Sequence, residues 1–136
     1  MKMSKFKAGV IKFVRLVPRG KVVSYGQVAL YLGLPRAGRQ VGWVLNKLEK
    51  SVIVPWWRVV NTLGRISIKG SYYSADDQKK LLMSEGIVVA DDLTFEIEKY
   101  RFIPDDELVS KLELDPSYLE FVSNKMPFSK YFSRKN

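Results

Sequence analysis

Trp56 and Trp57 stand side by side in the run Pro55-Trp56-Trp57-Arg58-Val59-Val60, and they limit the chemistry open to this chain. An indole has no lone pair free for attack, so neither ring can serve as a nucleophile. The chain of 136 residues contains no Cys and no His. That removes the usual thiolate, the usual metal ligand and the usual neutral-pH base. Carboxylates such as Asp76 and Glu85 are present, but no two sit at a convincing spacing for paired acid–base work. What remains is non-covalent: aromatic faces that stack and cations that hold anions.

The cations are unevenly placed. Net charge is +9. Residues 1–69 hold 14 Lys and Arg against one acid, Glu49, whereas residues 70–136 hold 9 basic and 13 acidic residues. One half therefore carries +13 and the other −4. A strongly basic half points to a polyanionic partner, with nucleic acid the leading candidate. A solvated basic surface without a partner is the plainer alternative. A membrane surface is a third, because residues 6–15 are basic and amphipathic, although an ordinary surface helix has the same pattern. Without cysteine there is no disulfide framework, which fits a reducing interior; the expected location is cytoplasmic, nucleoid-associated in a prokaryote or nuclear in a eukaryote.

These residues need elements to position them. Phe6, Val10, Phe13, Val14 and Val17 recur at helical spacing, predicting a helix over 5–17 that Pro18-Arg19-Gly20 stops. Ser24 reads as the N-cap of a short helix over 25–32, ended by Gly33. After the turn at 34–38, a second helix is predicted over 39–48, with Val41, Val44, Leu45 and Leu48 inward. Two short helices joined by a tight turn in a basic segment form the helix-turn-helix pattern. Residues 51–54, 59–60 and 65–68 read as extended, suggesting a hairpin or wing. Ser74 caps a helix over 75–85 with Asp76 and Asp77 in its first turn and Gly86 past its end. Strands are expected at 87–90 and within 93–102. Residues 104–107 read as an acidic break, Asp115-Pro116 as the start of a helix to about Asn124, and the tail as frayed.

Five landmarks then fall in a telling order. They are Val17-Pro18-Arg19-Gly20-Lys21-Val22 with Ser24-Tyr25-Gly26-Gln27-Val28-Ala29; Arg39-Gln40-Val41-Gly42; Pro55 to Val60; Asn61-Thr62-Leu63-Gly64; and Leu81-Leu82-Met83-Ser84-Glu85-Gly86. Together, over about residues 5–103, they resemble the O6-alkylguanine-DNA alkyltransferases, and more narrowly the alkyltransferase-like proteins. Trp56 stands where that family carries its acceptor cysteine, and Trp57 where it carries histidine. The resemblance implies a mostly helical α/β fold: a winged helix-turn-helix-like alkyltransferase C-terminal domain over 1–103, with a C-terminal helical extension of unknown role over 104–136.

It also implies a non-enzymatic function, binding O6-alkylguanine in duplex DNA by minor-groove helix insertion and base flipping, and flagging it for nucleotide-excision repair. The DNA-contacting set it implies is Ser24, Tyr25, Gly38, Arg39, Gln40, Gly42 and Trp43. Tyr25 would press on the backbone beside the target and Arg39 would fill the vacated stack. Gly38 and Gly42 would keep the inserted side slim. Trp43 departs from the family's smaller residue, so it either packs sideways or adds a stacking surface. The lesion pocket implied is Tyr25, Pro55, Trp56, Trp57, Arg58, Lys69 and Tyr72, with Tyr73 nearby. Glu85 keeps its place without its relay partners, so it is expected to end a helix or bond backbone. No cofactor or metal is implied; the partners are double-stranded DNA and repair proteins, and the protein is expected to be a monomer. A DNA-binding regulator or architectural protein without lesion preference uses the same helices, and a hydrolase built on Glu85 or Asp76 is a more distant alternative.

Overall fold

Capping serines open three of the helices, and their side chains show why the chain turns where it does. In the computed structural model, which describes residues 4–66 and 73–125, Ser4 accepts the Lys7 N–H at 3.1 Å and starts α1, Lys5–Val14. The helix stops earlier than its apolar periodicity suggests. Residues 15–17 leave it as a turn, since Pro18 disfavours helical geometry in the residue before it, yet Val17 stays buried. Ser24 caps α2, Tyr25–Tyr31, in a reciprocal box: its hydroxyl accepts the Gln27 N–H at 3.1 Å and the Gln27 side chain accepts the Ser24 N–H at 3.0 Å. Helix α3, Gly38–Asn46, follows the turn and has no side-chain cap; Val41 and Leu45 face inward.

The sheet is small and parallel. Strand β1, Val23–Ser24, pairs with β2, Val59–Val60, in the register Val23↔Val59. Between them in sequence, Trp56–Arg58 form one turn of 3-10 helix, a feature without a sequence signal. Val22 bridges in parallel to Arg101. The hairpin expected over 59–68 is not formed within the described residues. Arg65 instead makes one antiparallel bridge to Thr94, and Ser67 and Ile68 lie outside the described residues. No strand forms over 87–90, and the strand expected over 93–102 is a bridge at Thr94 followed by a one-turn helix, α5, Ile97–Tyr100. The cause lies in local bonds: Asp92 accepts from both the N–H and hydroxyl of Thr94, and Glu98 holds Arg101 three residues on. Between these segments and the 3-10 turn runs α4, Ala75–Ser84, capped by Ser74 as expected, with Asp77 closing a reciprocal box.

The acidic stretch after Pro104 is not a break. Asp105 accepts the Leu108 N–H at 2.9 Å and starts α6, Asp106–Lys111. Helix α7, Pro116–Lys125, begins with proline at its first position. The tail beyond it lies outside the described residues. This extension joins the main core: Val109 and Val122 belong to the same buried cluster as Phe13, Val28, Tyr31 and Val41. Tyr118 also donates its hydroxyl to the Leu30 carbonyl at 2.7 Å, near the C-terminal end of α2. A second cluster, with Val22, Val60, Ile66, Leu82 and Ile87, sits beneath the sheet and α4.

Because Val122 is fully buried, Val122→Ala should cost on the order of 1–3 kcal/mol. A urea titration checks it; a midpoint equal to the parent's would mean that the extension does not stabilise the helix-turn-helix.

Candidate nucleic-acid interface

The two short helices build one face. Arg39 and Gln40 are exposed at the start of α3, and Trp43, one turn on, is 56% exposed. Gly38 and Gly42 face the other way. A Cβ on Gly38 would lie 3.4 Å from the Gly26 nitrogen, and one on Gly42 would lie 3.8 Å from the Tyr25 ring. Both glycines therefore lie on the side of α3 that meets the start of α2, where a Cβ would make only ordinary contact. Tyr25 is half-buried in that contact, and burial pushes its hydroxyl pKa up, so it is a neutral donor at pH 7. Ser24 is buried, with its hydroxyl engaged in the cap.

A second group gathers around the 3-10 turn. Trp56 is half-buried against the main core, and its ring stacks on Tyr73 with centroids 4.7 Å apart and planes 22° apart. Trp57 meets Trp56 edge-on at 5.9 Å but packs against the second cluster. Its indole N–H donates to Glu85 Oε2 at 2.7 Å. Pro55 precedes the turn and is half-buried. Lys69 and Tyr72 lie outside the described residues.

Glu85 is the hub of this group. The Arg58 Nη2 donates to Oε2 at 2.8 Å and its Nε to Oε1 at 3.0 Å, while the Gly20 N–H donates to Oε1 at 3.0 Å. Arg58 also donates from Nη1 to the Val17 carbonyl at 2.8 Å, and its guanidinium lies 5.4 Å over the Trp57 ring. Gly20 has φ +84°, where a side chain would strain the backbone. The carboxylate is 2% exposed. Burial by itself would raise its pKa, but the bonds from Arg58, Gly20 and Trp57 outweigh it and hold the carboxyl below its ordinary 4.5. Glu85 also closes α4, so both expected roles are present, joined by an ion pair that sequence did not reveal.

Sequence reasoning also missed Gln78, which is buried and donates its amide to the carbonyls of Trp57 and Val59. Its only signal was a polar residue on the inward side of α4. The carboxylates considered for hydrolysis do not meet that purpose. Asp76 pairs with Lys80 on the exposed side of α4, while Glu85 is occupied at the far end. Among the described residues no group of three acidic side chains could hold a metal ion.

Residues 5–87 match the family model described as the 6-O-methylguanine DNA methyltransferase DNA-binding domain. This protein belongs to that family, as an alkyltransferase-like member without the acceptor cysteine. It is 39% identical over 101 residues to the DNA base-flipping protein of Escherichia coli K12, covering 74% of this chain and 77% of that one. It is 38% identical over 89 residues to Alkyltransferase-like protein 1 of Schizosaccharomyces pombe, covering 65% and 82%. The crystal structure of S. pombe Atl1 in complex with damaged DNA containing O6-carboxymethylguanine matches with a TM-score of 0.66 at 34% identity, covering 76% of this chain and all of that one.

Glu85→Gln should cost about 3–5 kcal/mol at pH 7, because it leaves the Arg58 charge buried without its anion. The folded-state pKa is depressed, so this stabilisation is present above pH 4.5 and is lost as pH falls through the folded value. Denaturant melts should therefore show the gap between parent and variant narrowing once pH falls below 4.5 and closing as it passes the folded value; a constant gap down to strongly acid pH would mean that the carboxylate charge contributes nothing.

Proposed function

We propose that this protein binds O6-alkylguanine in duplex DNA and does not repair it. The observation that carries the reading is Trp56. By resemblance it occupies the place of the acceptor cysteine, in a turn held by Glu85, in a chain whose helix-turn-helix carries an exposed Arg39. The basic half of the chain supplies the attraction to phosphates. Helix α3 enters the minor groove, Tyr25 presses on the backbone, and Arg39 takes the space left by the extruded base. The lesion rests against Trp56; Lys69 and Tyr72, which the resemblance adds to the pocket, lie outside the described residues. Removing a base from the stack costs a few kcal/mol, which Arg39 offsets by stacking in its place. What supports lesion binding is the family, the name of the E. coli relative and the damaged DNA held by S. pombe Atl1. In this reading the protein acts as a monomer and its complex is the signal that nucleotide-excision-repair proteins take up, both of which rest on resemblance.

The test uses matched duplexes with and without one labelled O6-methylguanine. The lesion should survive incubation, bind more tightly than its undamaged counterpart, and lose affinity steeply between low and physiological salt. Arg39→Ala should keep the fold, since alanine is the better helix former, and lose about tenfold in lesion affinity for each 1.4 kcal/mol of lost compensation. Equal affinity for the two duplexes would leave a helix-turn-helix protein without lesion preference. Label appearing on the protein would mean chemistry that this chain's residues do not provide.

A further inference from the structure

Base flipping by Arg39 does not account for Trp43. This side chain points straight away from the core: it lies about half a helical circumference from Val41 and Leu45, the two buried residues of α3. It is 56% exposed, and its neighbours along that outer ridge are Arg39 one turn before and Lys47 one turn after, both exposed. No acid lies within α3. A large apolar ring between two cations fits a partner that is anionic at its surface and apolar within, which describes stacked base pairs behind phosphates.

The size of the ring decides how it fits. The minor groove is about 6 Å wide, far narrower than the roughly 10 Å of a helix with its side chains. An indole on the outermost ridge cannot lie flat in such a groove while the helix stays close. Either the groove opens or the ring enters a base step, and apolar side chains that enter base steps kink the duplex towards the major groove. Four residues of helix advance about 6 Å, close to two base-pair steps of about 3.4 Å each.

We propose that Trp43 is a minor-groove wedge, entering the stack about two base steps from the point where Arg39 acts and bending the duplex there. This rests on the docking of α3 described above and adds to it a second point of insertion, which acts on DNA whether or not a lesion is present.

The experiment measures affinity and end-to-end fluorescence energy transfer for doubly labelled duplexes, damaged and undamaged, with the parent, Trp43→Ala and Trp43→Phe. Trp43 is more than half exposed, so Trp43→Ala should melt close to the parent. It should bind both duplexes about tenfold more weakly, as expected for the loss of one aromatic stack, and bend them less. The ratio between damaged and undamaged affinities should stay that of the parent. Trp43→Phe should restore most of the bend, because the wedge needs a ring and not the indole N–H. Parent-like bend and affinity in Trp43→Ala would put the ring off the DNA and overturn the proposal. A parent that binds both duplexes equally would overturn the lesion reading alone, since the loss of bend in Trp43→Ala on undamaged DNA would still report the wedge.

Discussion

A buried carboxylate is tolerable only if its charge is answered, and the site depends on how Glu85 meets that requirement. Its partners come from two places far from it in sequence, Gly20 from the turn ahead of β1 and Trp57 and Arg58 from the 3-10 turn, while Glu85 itself sits at the end of α4. Arg58 carries the link on to the Val17 carbonyl, and Arg19 donates to the Ser84 carbonyl at 2.8 Å. The turn that presents Trp56 and the chain leading into the helix-turn-helix are therefore fixed to the same group. Where the resemblance puts histidine, Trp57 makes its bond to Glu85 with the indole N–H.

The adjacent tryptophans divide the labour. Trp57 turns towards the sheet-side cluster and uses its polar atom; Trp56 packs on the helical core and keeps an aromatic face for Tyr73. The basic face is organised in the same way from local parts, with α2 and α3 in contact along Gly38 and Gly42. In the extension, Val109 and Val122 complete the core behind those helices.

Much of this was legible because it is local. Ser24, Ser74 and Pro116 each mark a helix start through a bond or a fixed dihedral within a few residues, and each start lies where the sequence places it. The exposed Arg39 and the inward Val41 and Leu45 follow from helical periodicity alone. What was not legible depends on distance or on competition. The bond between Trp57 and Glu85 spans 28 residues, and that between Gln27 and Phe102 spans 75. The direction of Gly38 and Gly42 is decided by which helix lies beside them. The apolar alternation over 93–102 lost to the Asp92 and Glu98 bonds, and the acids after Pro104 were read as a break although Asp105 is a sound cap.

The Trp56–Tyr73 stack changes how selectivity is to be thought of. In the DNA-free protein the indole face is already covered by another ring. On the function proposed above, a base arriving at Trp56 would exchange one π-contact for another, and the flat part of guanine would bring little net gain. The surplus would come from atoms that Tyr73 lacks, at about 0.8 kcal/mol for each methylene taken out of water. A covered aromatic face would then work as a threshold, with preference growing with the size of the alkyl group.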